Sequence, residues 1–399
     1  METLTVKLKV VTPLFLGGAQ PMEHAELRAP SIKGALRFWY RAIDPNYAEY
    51  EGRIFGGTKE NEGQACFLSR VSEVIESRKK DDKDGEARDS RWDTKKIAYL
   101  GYGPINRDKT GKVIKDKAGK QRPEQKAMTL RPYIRAGTTF SLSLYFKPNT
   151  PSDYVARVKK ALWALVMLGG LGARSRKGFG SMVAVSEPAG MADLPPMQPT
   201  NQSALVESLR KFLGDLIALY DLPEYTSWSK RARCVVAGRG DSGEAALEWL
   251  GTEMHACRSW KGTDKSAWVT TDHNLMRDFI GGNDEPKVPP LRSAFGLPHN
   301  YFFTSLGNKK GGVDLMDNKT PGRRASPLIF HIHEFAGGSG RNKACVVATY
   351  LPAQLIPRGQ KVRMSRQGKQ SILVDLPNDF KAVTDFVDRL SKLGMEVSP

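Results

Sequence analysis

The chain has 399 residues, more than one ordinary core accommodates, so two domains are expected. Its 61 lysines and arginines outnumber 43 aspartates and glutamates, and the formal charge of +18 points to a polyanionic partner, nucleic acid before membrane, because no basic surface helix with a bulky apolar face accompanies it. The longest apolar run, 161–168, is far shorter than the ~20 residues that cross a bilayer, and the first residues lack the basic start of a signal peptide; no membrane partner is expected and the chain reads as cytoplasmic.

Residues 3–10 alternate apolar and polar side chains with period two, which predicts a half-buried strand ending before Pro13. After a Gly17-Gly18 turn, Pro30-Ser31 precedes an apolar stripe of Ile32, Leu36, Trp39 and Ile43, a helix for which Ser31 is the expected N-cap. Strands are predicted over 64–74 and 138–146, then a helix over 152–168 and a fourth strand over 181–185. The order βαββαβ predicts an α+β, ferredoxin-like domain over 1–187, with two helices on one face of a four-stranded antiparallel sheet. Some sixty residues separate the second and third strands. Their charge-rich stretches, 77–96 and 106–126, read as a long insertion, partly disordered and solvated.

Residues 188–202, with Pro188, Pro195, Pro196 and Pro199, break periodicity and read as a linker. Beyond it, 203–220 and 243–260 predict helices and 231–237 a short strand. Strands over 327–335 and 344–351 are joined by Gly337-Gly338-Ser339-Gly340, and 379–393 closes the chain as a helix. A second α+β domain is expected over 203–399.

Two segments concentrate positive charge. No acid occurs from Arg28 to Ile43, and Lys33, Arg37 and Arg41 recur at i, i+4 on the first helix, well round from its apolar stripe. Lys33 would sit in the first turn, where an anion held by the amides of Ile32, Lys33 and the unobstructed Gly34 would relieve its clash with the helix dipole. The alternative is a solvated basic face. The sharper signal is Gly169-Gly170-Leu171-Gly172-Ala173-Arg174-Ser175-Arg176-Lys177-Gly178-Phe179-Gly180, where five glycines flank three cations and let backbone approach a phosphodiester. Neither common nucleotide-binding glycine motif threads through it, and it follows a helix instead of opening one. Phe179 is read as an anchor before a base-stacking ring.

Thr12-Pro13-Leu14-Phe15-Leu16-Gly17-Gly18-Ala19, Glu26-Leu27-Arg28-Ala29-Pro30-Ser31-Ile32-Lys33-Gly34-Ala35-Leu36-Arg37-Phe38-Trp39-Tyr40-Arg41-Ala42, Glu51 and Ile54-Phe55-Gly56-Gly57 closely resemble the RAMP superfamily. Within it they resemble the first RAMP subunit of the type III-B CRISPR (Cmr) effector complex. Ala294-Phe295-Gly296-Leu297-Pro298 and Arg323-Arg324-Ala325-Ser326-Pro327 extend the resemblance into the second half. It implies two ferredoxin-like RAMP domains and a non-catalytic structural subunit for antiviral defence. The partners it implies are guide RNA toward its 3′ part, target RNA and other RAMP subunits. The RNA contacts it implies fall on Lys33, Gly34, Arg37 and Arg41, on Arg174, Ser175, Arg176, Lys177 and Phe179, and on Arg323 and Arg324. The long insertion has no counterpart in the pattern.

The resemblance also implies an alternative, a metal-independent endoribonuclease that processes guide precursor, for which His24 is the best general acid or base, with Glu23 and Glu26 nearby. His331 and His333 share one face of a strand and describe at most half a metal site. Asp81, Asp82 and Asp84 lie among cations that neutralise them. Cys66, Cys234, Cys257 and Cys345 are far apart without a Cys-x-x-Cys pair and read as buried thiols. No metal or cofactor is expected.

Overall fold

The computed structural model describes residues 2–60, 62–76, 95–115, 121–129, 131–283, 285–317 and 320–397. Its first half runs β1 (Thr3–Val10), α1 (Ala29–Ile43), α2 (Tyr47–Phe55), β2 (Phe67–Ile75), α3 (Lys95–Leu100), β3 (Ile105–Lys115), β4 (Gln121–Thr129), β5 (Thr139–Phe146), α4 (Ser152–Leu168) and β6 (Met182–Ala184). The second half runs α5 (Gln202–Gly214), β7 (Arg233–Gly240), α6 (Gly243–Arg258), α7 (Ala267–Gly281), β8 (His299–Phe303), β9 (Lys309–Asp317), β10 (Thr320–Gly322), β11 (Leu328–Glu334), β12 (Ala344–Tyr350), β13 (Val362–Arg366), β14 (Lys369–Val374), α8 (Lys381–Lys392) and β15 (Gly394–Val397).

Two antiparallel four-stranded sheets share one connectivity. The first has the order β2-β5-β1-β6 and the second β11-β12-β7-β15. In each, the first strand of the unit is followed by a helix, two strands, a helix and a closing strand, leaving the first strand between the third and fourth. A third sheet, β10-β9-β13-β14 with β8 paired to β9, is inserted in the second unit and packs on α7.

Burial periodicity explains the layering. In β1, Leu4, Val6, Leu8 and Val10 are buried on one face against Ile32, Leu36 and Trp39 of α1 and the apolar length of α4. Every residue from Ala161 to Leu168 is buried, so the second half of α4 is covered on all sides, as expected of a helix segment held between two sheets. The second sheet supplies its other cover: Cys234, Val236, Ile329, Cys345 and Val347 join the core of α1, α4 and α5, while Val235, Ala237, Phe330, Ile332, Val346 and Ala348 face α6 and α8. All seven residues of β12 are therefore buried, and the strand reads as a continuous apolar run without alternation.

Four expectations change. The α1 helix begins at Ala29 with Arg28 at the N-cap and no side-chain cap, so Ser31 is not the cap; Pro30 sits in the first turn, where its missing N–H costs nothing. Of the stretch 106–126, read as partly disordered, residues 106–115 and 121–126 belong to the β3–β4 ribbon, whereas 116–120 and 77–94, with Asp81, Asp82 and Asp84, lie outside the described residues. The segment 188–202 is no free linker. It buries Met191 and Met197, and the Pro195 carbonyl accepts the Trp163 indole N–H at 2.8 Å. The helix expected over 203–220 stops at Gly214.

Candidate RNA interface

The glycine-rich loop is pinned from both sides. The Leu171 amide donates to Gly180 O (2.9 Å), the Ala173 amide to Phe15 O (2.8 Å) and the Gly180 amide to Pro13 O (3.0 Å), so 171–180 closes on the segment after β1. Buried Thr12 donates its hydroxyl to Gly178 O at 2.7 Å and accepts the Ser181 amide at 3.0 Å. Gly180 is required as such: φ is +63° and a Cβ would run into the Leu171 carbonyl. Phe179 is fully buried, 5.6 Å from the Phe15 ring, so it anchors the loop and is closed to a nucleic-acid base.

The three loop cations are exposed to different degrees. Arg174 is exposed and held at φ +63°, strain of roughly 1–2 kcal/mol for a residue with a side chain, and its guanidinium donates to the Tyr102 carbonyl. Ser175–Lys177 forms one 3-10 turn. The Arg176 guanidinium donates to Ser326 O and lies 4.9 Å over the Phe38 ring, and burial pushes its pKa down to about 10. The Lys177 ammonium is buried without a hydrogen-bond partner, 5.9 Å from the Phe330 centroid. Burial first, then the charges of Arg258, Arg174 and Arg176, hold its pKa well below the ordinary lysine value.

These three residues line a cleft of about 830 Å³ between the two halves. Arg258 and Arg292 enter from the end of α6 and the segment before β8, Arg323 and Arg324 from the segment before β11, and Tyr99, Tyr102 and Asn300 complete its walls. Among the described residues no carboxylate lines it. The nearest balance is from behind: buried Asp272 accepts the Leu291 and Arg292 amides, and its Oδ2 is 3.8 Å from Arg292 Nε. Arg258 and Arg292 both keep a buried Nε that makes no hydrogen bond, and burial lowers the pKa of Arg258. Buried donors are normally satisfied within the protein. Seven cationic side chains line one cleft of a single sign, so an anion with multiple acceptor oxygens is the complementary ligand.

The predicted residues divide into two groups. Arg174, Ser175, Arg176, Lys177, Arg323 and Arg324 come together in this cleft, with Arg324 also donating to Gln354 O at 3.0 Å. Lys33, Gly34, Arg37 and Arg41 do not join them. The face of α1 turned to the loop carries Ser31, Ala35 and Phe38, and at 100° per residue the basic stripe lies well round the helix. Arg37 and Arg41 are both spent on Glu51 of α2. Burial raises the Glu51 pKa, but the hydrogen bonds from Arg41 and Arg37 outweigh it and hold the carboxyl below its usual range. Lys33 lies 5.7 Å from the Phe67 centroid, and the Ile32 amide already donates to Arg28 O, so the expected anion seat at 32–34 is inside the helix and not at its free end. Arg258, Arg292, Tyr99 and Tyr102 carry no periodic or motif signal that would place them here.

His331 and His333 are buried core residues, not half a metal site. Since a carbonyl only accepts, His331 Nδ1 carries the proton donated to Gly169 O at 2.8 Å, leaving Nε2 to face His333 Nδ1 at 3.4 Å. Burial pushes the His331 pKa down to about 4. Among the described residues no cluster of three His, Cys, Asp or Glu side chains could hold a metal, and no helix is long and apolar enough to cross a membrane.

The segment from β1 through the glycine-rich loop is the part of the chain that matches a family model. Residues 7–183 match the RAMP superfamily. The RAMP match spans under half of the chain and ends within β6, so Arg258, Arg292, Arg323 and Arg324 lie beyond it. The chain is 29% identical over 342 residues to the CRISPR system Cmr subunit Cmr1-1 of Pyrococcus furiosus, covering 83% of each. It is also 29% identical over 187 residues to Cmr1-2 of the same organism, covering 44% of this chain and 91% of that one. The crystal structure of Cmr1 from Pyrococcus furiosus in its apo form aligns with a TM-score of 0.52 at 18% identity, covering 99% of this chain and 98% of that one, a likeness of fold.

Proposed function

We propose that this chain is a non-catalytic, RNA-binding structural subunit of a type III-B CRISPR RNA-guided effector complex, holding guide RNA toward its 3′ part and target RNA beside other RAMP subunits. The observation that carries this is the cationic cleft, which seven lysine and arginine side chains and no carboxylate line among the described residues, and where Lys177 Nζ, Arg258 Nε and Arg292 Nε make no hydrogen bond. The likeness to Cmr1-1 along most of both chains supports the place in such a complex. The shared connectivity of the two sheets supports reading the halves, 1–187 and 203–399, as two ferredoxin-like units. The loop cations and the second-half arginines meet across the cleft, so neither half alone makes the site.

The test is binding of the full chain to single-stranded RNA and to duplex DNA across a salt series. Tighter binding to RNA, weakened by Arg174→Ala and by Arg323→Ala, is the expected result. Comparable affinity for duplex DNA would sink the assignment to RNA. Incubation with guide precursor in chelator addresses the nuclease alternative, and site-specific scission abolished by His24→Ala would establish it instead.

A further inference from the structure

The described base of the insertion after β2 forms one wall of the cleft and is firmly seated. Ile97, Ala98, Leu100 and Ile105 are buried in the core of α6 and α8. The Lys96 ammonium donates to His255 Nδ1 at 2.9 Å, and Tyr99 meets the His255 ring edge-on at 5.3 Å. The chain then turns through Gly101-Tyr102-Gly103 directly on the glycine-rich loop. A Cβ at Gly101 would stand 3.0 Å from the Phe179 ring, and one at Gly103, where φ is +110°, would stand 3.3 Å from Arg174 Nη2. Between them Arg174 clamps the Tyr102 carbonyl. The backbone of Tyr102 is thus fixed while the residue as a whole is 71% exposed, and it lines the cleft together with seven cations and no carboxylate among the described lining residues.

An exposed aromatic at the lip of a backbone-binding groove has a physical use. Phosphates fix the strand, and unstacked bases turned away from them need a π-face to replace lost stacking. We propose that Tyr102 is that face: an unpaired base of a single RNA strand stacks on its ring while the adjoining phosphates lie against Arg174 and Arg323. This rests on the cleft being the RNA site. It gives the insertion a function that the RAMP pattern does not supply, namely delivering a stacking residue to a groove whose charges come from both halves. Tyr102 is also placed to act with Arg174, since the guanidinium that holds its carbonyl is the exposed cation next to it.

The full chain, titrated with short single-stranded RNAs carrying one 2-aminopurine at successive positions, tests this. One position should show fluorescence quenching that survives Tyr102→Phe and disappears in Tyr102→Ala, with an affinity loss on the order of tenfold. An abasic site at that position should bring the wild type down to the Tyr102→Ala affinity, and annealing the RNA to its complement should abolish the difference. Equal affinity and quenching for wild type and Tyr102→Ala would overturn the proposal, as would a loss in Tyr102→Ala that persists on the abasic strand. If Arg323→Ala weakens binding while Tyr102→Ala does not, the stacking role falls and the cleft stands. If the wild type fails to bind single-stranded RNA, both fall.

Discussion

Lys177 has its side-chain nitrogen buried with no hydrogen-bond partner among the described residues, and burial together with its neighbours Arg258, Arg174 and Arg176 makes the position unfavourable for a charge. An unpaired buried polar group costs about 1–3 kcal/mol, more when charged. Lys177→Met should therefore raise the melting temperature by a few degrees while weakening RNA binding, which thermal denaturation and RNA titration on the same variant would show. A variant both less stable and unchanged in binding would contradict the assigned role. His331 works in the opposite sense. Its folded pKa of about 4 lies below the ordinary 6.5, so as pH falls from 6.5 toward 4 the unfolded chain takes up a proton that the folded chain refuses. Stability conferred above that window is lost through it, up to about 3 kcal/mol for this group. Urea unfolding at successive pH values should show this slope, and His331→Gln, which can still donate to Gly169 O, should flatten it.

At the scale of elements, α4 and α5 are joined by one aromatic pair. Phe212 of α5 stacks on Trp163 of α4 with centroids 3.9 Å apart and planes 16° from parallel, and both are buried. Phe212→Ala should cost about 3–5 kcal/mol in chemical denaturation; a loss below about 1 kcal/mol would mean that α5 is not seated there. These elements were legible because their patterns are long: β1 and α4 fall on the predicted residues, Thr3–Val10 and Ser152–Leu168. The elements that escaped are short or disguised. Between Val362 and Arg366 only Val362 and Met364 are buried, and Arg363 is spent on Asp314 across the strand, so β13 offers too few alternations to stand out. The basic stripe of α1 was legible as charge, but the pairing of Arg37 and Arg41 with the single carboxylate of Glu51 depends on α2, which periodicity did not reveal.

For the whole molecule, the excess charge is organised and not spread evenly. The glycine-rich loop was legible as a cationic segment because its residues are contiguous, whereas the cleft was not, since Arg258, Arg292 and Arg323 come from separate elements of the second half that meet the loop only when the two halves pack. Arg176 shows the dual demand on such residues, linking the loop to Ser326 of the second half while lining the cleft. The claim that RNA lies across both halves and not along α1 is tested most directly by the salt dependence of single-stranded RNA binding. Arg174→Ala and Arg323→Ala should each flatten the plot of log affinity against log salt by roughly 0.7, and together by the sum. The double variant Arg37→Ala, Arg41→Ala should leave the slope unchanged. A slope that responds to the α1 pair and ignores Arg174 and Arg323 would contradict the account.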